Sequence, residues 1–150
     1  MYANQIQQII QNDPKTKKQF LGVYSANTIP KQMASNSFAI INCCHHSKPG
    51  KHWLALYMHG DGFNLEYFDS YGLNPSYYKL QDKLPFSLKL THSKKQLQSL
   101  FSDVCAYYCL LFCFYKVRKY PSNEIITMFT KDFIRNDKYA TFKVKQLYNI

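Results

Sequence analysis

The pattern of apolar and polar positions predicts strands before residue 100 and helices mainly after it. Ser37–Cys44 is a run of strand-forming residues typical of a buried strand. Two further runs, His52–His59 and Phe63–Ser70, flank the loop Gly60-Asp61-Gly62, which is the pattern of a β-hairpin. Ser87–His92 alternates polar and apolar residues and predicts one more strand.

Helical spacing of apolar residues is present near the start of the chain. Residues 4–12 place Ile6, Ile9 and Ile10 on one side of an amphipathic helix. Asp13-Pro14 follows, and because the residue before proline disfavours the helical conformation, the helix is expected to end there.

A second helix is predicted near the C-terminus. Ser122 is a suitable N-cap. Glu124 is expected in the first turn, where its negative charge interacts favourably with the positive end of the helix dipole. We expect this helix to run to about Arg135. Residues 137–150 are basic and aromatic, and their pattern assigns no element.

Residues 98–115 form a short polar turn followed by a long apolar helix. Ser102 or Asp103 is predicted as the N-cap, and either choice places Cys105 in the first helical turn. The positive end of the helix dipole favours a thiolate there, and unpaired backbone N–H groups can receive an oxyanion. Cys109 and Cys113 recur at helical spacing and are expected to pack in the core.

Length and cysteine usage limit the class of protein. The 150 residues predict a single domain, 1–150. Five cysteines is an odd number, and with no secretory signal it favours a reducing compartment over a disulfide framework. The longest nearly apolar run, residues 104–115, is too short to span a bilayer.

The net charge of +10 predicts affinity for polyanions such as nucleic acid, or for an acidic partner. A solvated surface is the default interpretation of short basic runs. The candidate DNA contacts are Lys15, Lys17, Lys18, Lys116, Arg118 and Lys119.

Cys43-Cys44-His45-His46 has the composition of a metal site but not its spacing. Adjacent residues on a strand point to opposite faces, and no second Cys or His pair stands at zinc-finger distance. We therefore expect no metal ion to bind at residues 43–46. The sequence predicts no role for Cys43 and Cys44 beyond packing.

The hairpin brings a histidine and a carboxylate together. His52 opens its first strand and Asp69 closes its second, so the two residues should lie side by side. A carboxylate beside an imidazole fixes its tautomer and stabilises its cation, as in a catalytic triad. A structural His–Asp contact at the hairpin mouth is an equal alternative.

Four residues stand in an order that resembles the adenain family, the adenovirus-type cysteine endopeptidases. His52-Trp53 is followed after seventeen positions by Asp69, then by Gln98, and seven positions later by Cys105. The same clan contains the ubiquitin-like-protein proteases, which share this order.

The likeness extends to most of the chain, from the N-terminal helix to at least Tyr115. The seven-residue interval and the segments Phe20–Tyr24 and Phe38–Asn42 are closer to adenain. The resemblance implies an α+β fold of the papain-like, adenain-like type. Its mixed central β-sheet is flanked by helices, with the nucleophile at the N-terminus of a buried central helix.

The resemblance also implies a role for each residue of the motif. Cys105 is the nucleophile, and His52 takes its proton and later protonates the leaving amine. Asp69 orients His52, although many adenains have Glu at this position. The Gln98 amide and the Cys105 backbone N–H form the oxyanion hole. Trp53 either shields the His–Asp pair from water or is a core aromatic residue.

Three features depart from the family pattern. Ala106 replaces the usual glycine after the nucleophile, which predicts a tighter approach to the thiol. Adenovirus proteases carry a disulfide-linked basic peptide, but here no cysteine lies between Cys44 and Cys105, and the matching region around Ser87 offers only a hydroxyl. The chain also ends about 45 residues after Cys105, which is typical of a compact relative from a small DNA virus, virophage or mobile element.

The sequence thus predicts a viral maturation cysteine endopeptidase that cleaves capsid or core precursor proteins. No cofactor is required by the sequence, and DNA or a non-covalently bound peptide are the candidate activators. We expect a monomer in the virion and the infected host cell, neither secreted nor membrane-bound. Two alternatives stay open: a deubiquitinase- or deSUMOylase-like isopeptidase, and a non-catalytic basic nucleic-acid-binding virion protein.

Overall fold

A five-stranded mixed β-sheet forms the centre of the molecule. The computed structural model describes residues 1–44 and 52–150. The strands, which lie in chain order across the sheet, are β1 Phe20–Tyr24, β2 Ser37–Asn42, β3 Trp53–Met58, β4 Asn64–Phe68 and β5 Lys89–His92. The two outer pairs are parallel and the two inner pairs antiparallel.

Helices flank this sheet, so the α+β fold class predicted from the sequence is confirmed. They are α1 Ala3–Ile10, α2 Pro14–Gln19, α3 Cys105–Lys116, α4 Ser122–Ile126 and α5 Phe133–Leu147, with a 3₁₀ turn at Pro75–Tyr78. Within the described part of the chain, no helix has the length and apolar character needed to cross a membrane.

The sheet is covered on both faces because its central strands, β2 and β3, are largely apolar. Every residue of β2 is buried, and successive side chains enter opposite layers. Phe38 and Ile40 join the core that contains α1, α3 and α5, whereas Ala39 and Ile41 join a smaller core on the other face. β2 and β3 are therefore the two-sided centre of the fold.

Helix α3 is buried on nearly all sides. Its Phe112 ring stacks on Phe68 of β4 with 4.5 Å between ring centroids. Cys109 and Cys113 are fully buried, which confirms their predicted core packing, and burial raises the pKa of both thiols. On the other side Tyr148, just after α5, donates to the Leu110 carbonyl at 2.9 Å.

The predicted caps and ends of the later helices are partly wrong. The N-cap of α3 is Val104, without a side-chain hydrogen bond, rather than Ser102 or Asp103. The helix beginning at Ser122 ends at Ile126 instead of Arg135, because Asp132 caps a new helix and accepts from Arg135 N at 3.1 Å.

The environment of Ser122 and the C-terminal residues was also not predicted. The Ser122 hydroxyl donates to Glu66 Oε2 at 2.7 Å and makes no cap. Residues 137–150, which the sequence pattern left unassigned, form most of α5 and the turn after it. Ala140 and Val144 of this helix are fully buried. Several of its apolar side chains, such as Ile134 and Phe142, are exposed, so its buried face does not follow an evident amphipathic pattern.

Helix α2 follows α1 where the sequence predicted an end. Pro14 occupies its first turn, where the missing N–H costs nothing, and the Asp13 side chain accepts from Thr16 N at 3.1 Å. The same Asp-Pro pair therefore ends one helix and begins another.

We expect Leu110→Ala to lower the free energy of unfolding by about 2–5 kcal/mol, because it leaves a cavity in the core around α3. Leu110 is 0% exposed, whereas Leu88 is 69% exposed. The matched control Leu88→Ala should change stability by less than about 0.5 kcal/mol. Urea denaturation measures both, and equal effects would contradict the placement of α3.

Candidate active site

The β3–β4 hairpin places His52 and Asp69 side by side. His52 directly precedes β3 and Asp69 directly follows β4, and the two strands pair antiparallel. His52 Nε2 lies 2.6 Å from Asp69 Oδ1, and both residues are buried. The predicted proximity of the two side chains is thus present in the structure.

The Asp69 carboxylate is held by several neutral donors. The Tyr71 backbone N–H donates to Oδ1 at 2.9 Å, and the Tyr78 hydroxyl donates to Oδ2 at 2.6 Å. The Leu73 backbone N–H adds a longer bond of 3.3 Å to Oδ2. Both oxygens therefore have partners besides His52, which a buried carboxylate requires.

Cys105 is the first residue of α3 and lies against the start of β3. The Trp53 backbone N–H donates to Cys105 Sγ at 3.4 Å. Cys105 is 6% exposed and His52 4% exposed. His52 Nδ1 has no hydrogen-bond partner among the described residues, so it is the ring nitrogen available to the thiol.

The charge state of His52 follows from its neighbours. Burial by itself lowers the pKa of His52, but the hydrogen bond that the imidazole donates to Asp69 and the interaction with the Cys105 thiol outweigh it and raise the pKa to about 9. The imidazole therefore carries a proton at neutral pH. This protonated imidazole lies beside the Cys105 sulfur.

Gln98 is buried on the segment that leads to α3. Its Nε2 donates to the carbonyl and the hydroxyl of Ser102, each at 3.1 Å. Its Oε1 lies 2.5 Å from the Ser70 hydroxyl. The amide thus lies between the turn after β4 and the residues just before Cys105.

Two tyrosines that sequence reasoning did not select complete the site. The Tyr71 ring stacks on the His52 ring with 4.4 Å between centroids, and Tyr78 stacks at 5.8 Å. The Tyr71 hydroxyl reaches the Ser102 carbonyl at 3.5 Å. The only signal in the sequence was their position shortly after Asp69, because the contacts depend on how that turn folds.

Trp53 packs against the core, which was one of the two roles expected for it. Its half-buried ring packs against the α3 core, and its Nε1 donates to the Met1 carbonyl at 3.0 Å. The N-terminal residue is thereby attached next to the His–Cys pair. A role in shielding that pair from water stays a prediction.

The predicted DNA contacts are not equivalent in the structure. Lys116 is a correction, since its side chain is buried and pairs with Glu66 at 2.8 Å. Arg118 pairs with Asp13 at 2.8 Å and stacks on the Phe114 ring. The residues whose side chains are exposed are Lys15, Lys17, Lys18 and Lys119.

The cysteine-histidine motif is only partly visible. Cys43 and Cys44 follow β2 with 3.6 Å between their sulfur atoms, whereas His45 and His46 lie outside the described residues. The Cys43 backbone N–H donates to the His52 carbonyl at 3.1 Å. In the described residues, no three His, Cys, Asp or Glu side chains are grouped to hold a metal ion.

Two crystal structures of the ASFV pS273R protease resemble this chain. One has 17% sequence identity and a TM-score of 0.52, covering 83% of this chain and 60% of the protease chain. The other, of the Se-Met protein, has 21% identity and a TM-score of 0.46, covering 70% and 42%. No protein-family model and no curated protein sequence matches this chain.

The likeness to the first of these structures is one of fold. At 17% identity and a TM-score of 0.52, the mixed sheet and its flanking helices are shared with a known protease. This chain spans less than two thirds of that protein's length, at 60%. The relation of this chain to the adenain family stays a resemblance.

We expect Asp69→Asn to remove a pH-dependent part of stability. The pKa of His52 is raised from 6.5 to about 9. The contribution of the protonated imidazole to the free energy of unfolding is therefore full below about pH 6.5 and is lost as the pH rises through 9. The difference in free energy of unfolding between wild type and variant should be largest near pH 6 and shrink toward pH 10.

Urea denaturation across this pH range measures the effect. Tyr78→Phe is the matched control, because it removes one hydrogen bond to Asp69 but keeps the carboxylate. Its stability difference should vary little over the same range. A constant difference for Asp69→Asn would contradict the protonated state of His52.

Proposed function

We propose that the chain is a cysteine endopeptidase with Cys105 as nucleophile. The observation that carries the proposal is the placement of one imidazole between a buried carboxylate and the sulfur at the start of α3. His52 Nε2 is 2.6 Å from Asp69 Oδ1, its Nδ1 has no geometric hydrogen-bond partner among residues 1–44 and 52–150, and the Cys105 thiol contributes to the raised pKa of the ring. This arrangement generates a nucleophilic thiolate next to a proton donor.

Each step of peptide hydrolysis has a residue to perform it. The Cys105 thiolate attacks the substrate carbonyl, and the proton on His52 passes to the leaving amine as the thioester forms. His52 then takes a proton from the water that hydrolyses the thioester. Asp69 keeps the imidazole oriented and stabilises its cation.

The tetrahedral intermediate needs donors for its oxyanion. The Cys105 backbone N–H at the start of α3 is one candidate, because the first N–H groups of a helix lack intrahelical partners. The Gln98 amide is the other, although its N–H groups here contact Ser102. One of its two N–H groups has to turn toward the substrate for this role.

The tighter approach to the thiol expected from Ala106 stays a prediction. Ala106 is 1% exposed and belongs to the core cluster of α3, so its methyl group packs inward. The Tyr71 side chain covers a face of the His52 ring, with 4.4 Å between ring centroids. In our proposal a substrate approaches the sulfur beside Tyr71.

The proposed substrates are viral capsid or core precursor proteins, and the proposed setting is the virion and infected cell. Support comes from the motif's resemblance to adenain and from the fold shared with the ASFV pS273R protease. An isopeptidase acting on ubiquitin-like conjugates has the same chemistry. Hydrolysis of Gly-Gly-terminated conjugates, compared with cleavage of co-expressed virion precursors, distinguishes the two.

Cys105→Ala should abolish cleavage of co-expressed virion precursor proteins while leaving the fold intact, because it removes the nucleophile. Cys109→Ala is the matched control, since Cys109 lies one helical turn further along α3 and is fully buried. It should retain cleavage. Gel analysis of the precursors measures both, and cleavage that survives in Cys105→Ala would refute the mechanism.

Iodoacetamide labelling tests the same proposal without a substrate. Cys105 should react near neutral pH much faster than Cys109 or Cys113, whose burial raises their pKa. Mass spectrometry identifies the labelled residue. Equal labelling of the three cysteines would favour the non-catalytic nucleic-acid-binding alternative.

We also propose that DNA binds the basic surface of α2, where it can act as an activator or hold the protein near its substrates. The net charge is +10, and Lys15, Lys17 and Lys18 are exposed on this short helix. A non-covalently bound peptide is the other candidate activator. Both proposals treat the protein as a monomer.

Replacing Lys15, Lys17 and Lys18 together with Gln should weaken duplex DNA binding and flatten its salt dependence. Each phosphate contact contributes about −0.9 to the slope of log K against log salt concentration. The control replaces Lys138, Lys143 and Lys145 of α5, with the same change in net charge. Fluorescence anisotropy at several salt concentrations measures both, and identical slopes in the two variants would refute a site on α2.

A further inference from the structure

The turn that follows β4 contacts both halves of the candidate site. Asp69 binds His52, while the next residue, Ser70, faces Gln98. Gly72 has a φ of +72°, and a Cβ there would lie 2.6 Å from the Lys95 backbone, so only glycine fits this close approach. The turn is thus packed directly against the segment that carries Gln98.

Ser70 makes three contacts with that segment. Its carbonyl accepts from the backbone N–H groups of Leu97 at 2.8 Å and Gln98 at 3.1 Å. Its hydroxyl lies 2.5 Å from Gln98 Oε1. Ser70 and Gln98 are both 0% exposed, so water does not compete for these contacts.

The partners of Gln98 fix which end of its amide faces which neighbour. The Ser102 carbonyl can only accept, so the atom 3.1 Å from it must be the N–H end of the amide. The Ser102 hydroxyl donates to the Ser99 carbonyl at 3.1 Å and is therefore an acceptor toward Gln98 as well. Oε1 must then face Ser70, and the Ser70 hydroxyl is the donor.

We propose that Ser70 is a positioning residue that holds the Gln98 amide with its N–H end toward the residues preceding Cys105. The inference rests on the proposed function, in which this amide is an oxyanion donor. A reversed amide would present its oxygen to the developing negative charge and repel it. The backbone contacts hold the Gln98 main chain, but the Ser70 hydroxyl holds the side-chain torsions.

The alternative is that Ser70 has only a structural role, in which its hydroxyl provides a hydrogen-bond donor for the buried Gln98 Oε1. A loss of stability alone does not separate the two roles, because either one leaves Oε1 without a partner. To distinguish the two roles, one has to measure whether the effect of Ser70→Ala depends on the presence of Gln98. A double-mutant cycle provides this measurement.

The experiment measures kcat and KM of wild type, Ser70→Ala, Gln98→Ala and the double variant on one cleaved precursor. Losing an oxyanion donor costs about 10²–10³ in kcat, and we expect Ser70→Ala to lower kcat about tenfold or more with little change in KM. In the Gln98→Ala background, Ser70→Ala should cause no further loss of kcat. Independent, multiplicative effects or an unchanged kcat in Ser70→Ala would overturn the proposal.

Ser37→Ala is the matched control for the loss of a buried serine hydroxyl. Ser37 is 4% exposed, and its hydroxyl donates to the Ala34 carbonyl at 2.5 Å, at the start of β2. This variant should lose stability without a change in kcat. A comparable fall in kcat for Ser37→Ala would show that the Ser70 effect is a general consequence of destabilisation.

A second measurement is independent of catalysis, so it separates failure of this inference from failure of the proposed function. In wild type, the two side-chain N–H signals of Gln98 should be well separated and slow to exchange in NMR spectra, because Ser70 and Ser102 fix the amide. In Ser70→Ala the chemical-shift difference between the two signals should decrease, and their exchange should become faster. Unchanged signals would overturn the positioning role even if cleavage is lost.

Discussion

The buried contact between His52 and Asp69 is the interaction on which the rest of the site depends. Removing an imidazolium and a carboxylate from water is costly, and their mutual attraction repays it only with good geometry and further hydrogen bonds. Both conditions hold, since Nε2 and Oδ1 are 2.6 Å apart and the Tyr71 backbone and Tyr78 hydroxyl donate to the carboxylate. The pair therefore keeps the imidazole protonated and leaves Nδ1 for the sulfur.

The antiparallel β3–β4 hairpin and the buried helix α3 bring this pair to Cys105. The Trp53 backbone N–H contacts the sulfur directly, so the first residue of β3 joins the first residue of α3. The turn after β4 then links the pair to Gln98 through Ser70. The sheet and helices are shared with the ASFV pS273R protease, and in the proposed mechanism these few contacts carry the chemistry.

Local patterns predicted the central elements but not the environments of individual charges. β2 and β3 were predictable because their apolar runs are long enough to require two covered faces, and β4 because a glycine-bearing loop joins it to β3 in a hairpin. Lys116 was misassigned as a DNA contact because its position in a basic run says nothing of Glu66, fifty residues earlier, with which it pairs at 2.8 Å. The helix break after Ile126 was missed because Asp132 caps α5, which the sequence pattern did not reveal.

The sequence by itself determined strands β2 to β5 and helices α1 and α3, the neighbouring positions of His52 and Asp69, and the place of Cys105 in the first turn of α3. These follow from side-chain periodicity and from antiparallel pairing, which act over short stretches of chain. Only the tertiary structure placed the His52 ring beside the thiol, stacked Tyr71 on it and turned the Gln98 amide toward Ser102. The first two contacts join segments separated in the chain, and the orientation of the Gln98 amide depends on Ser70, 28 residues earlier. Their geometry therefore depends on how the sheet, the turn after β4 and α3 pack together.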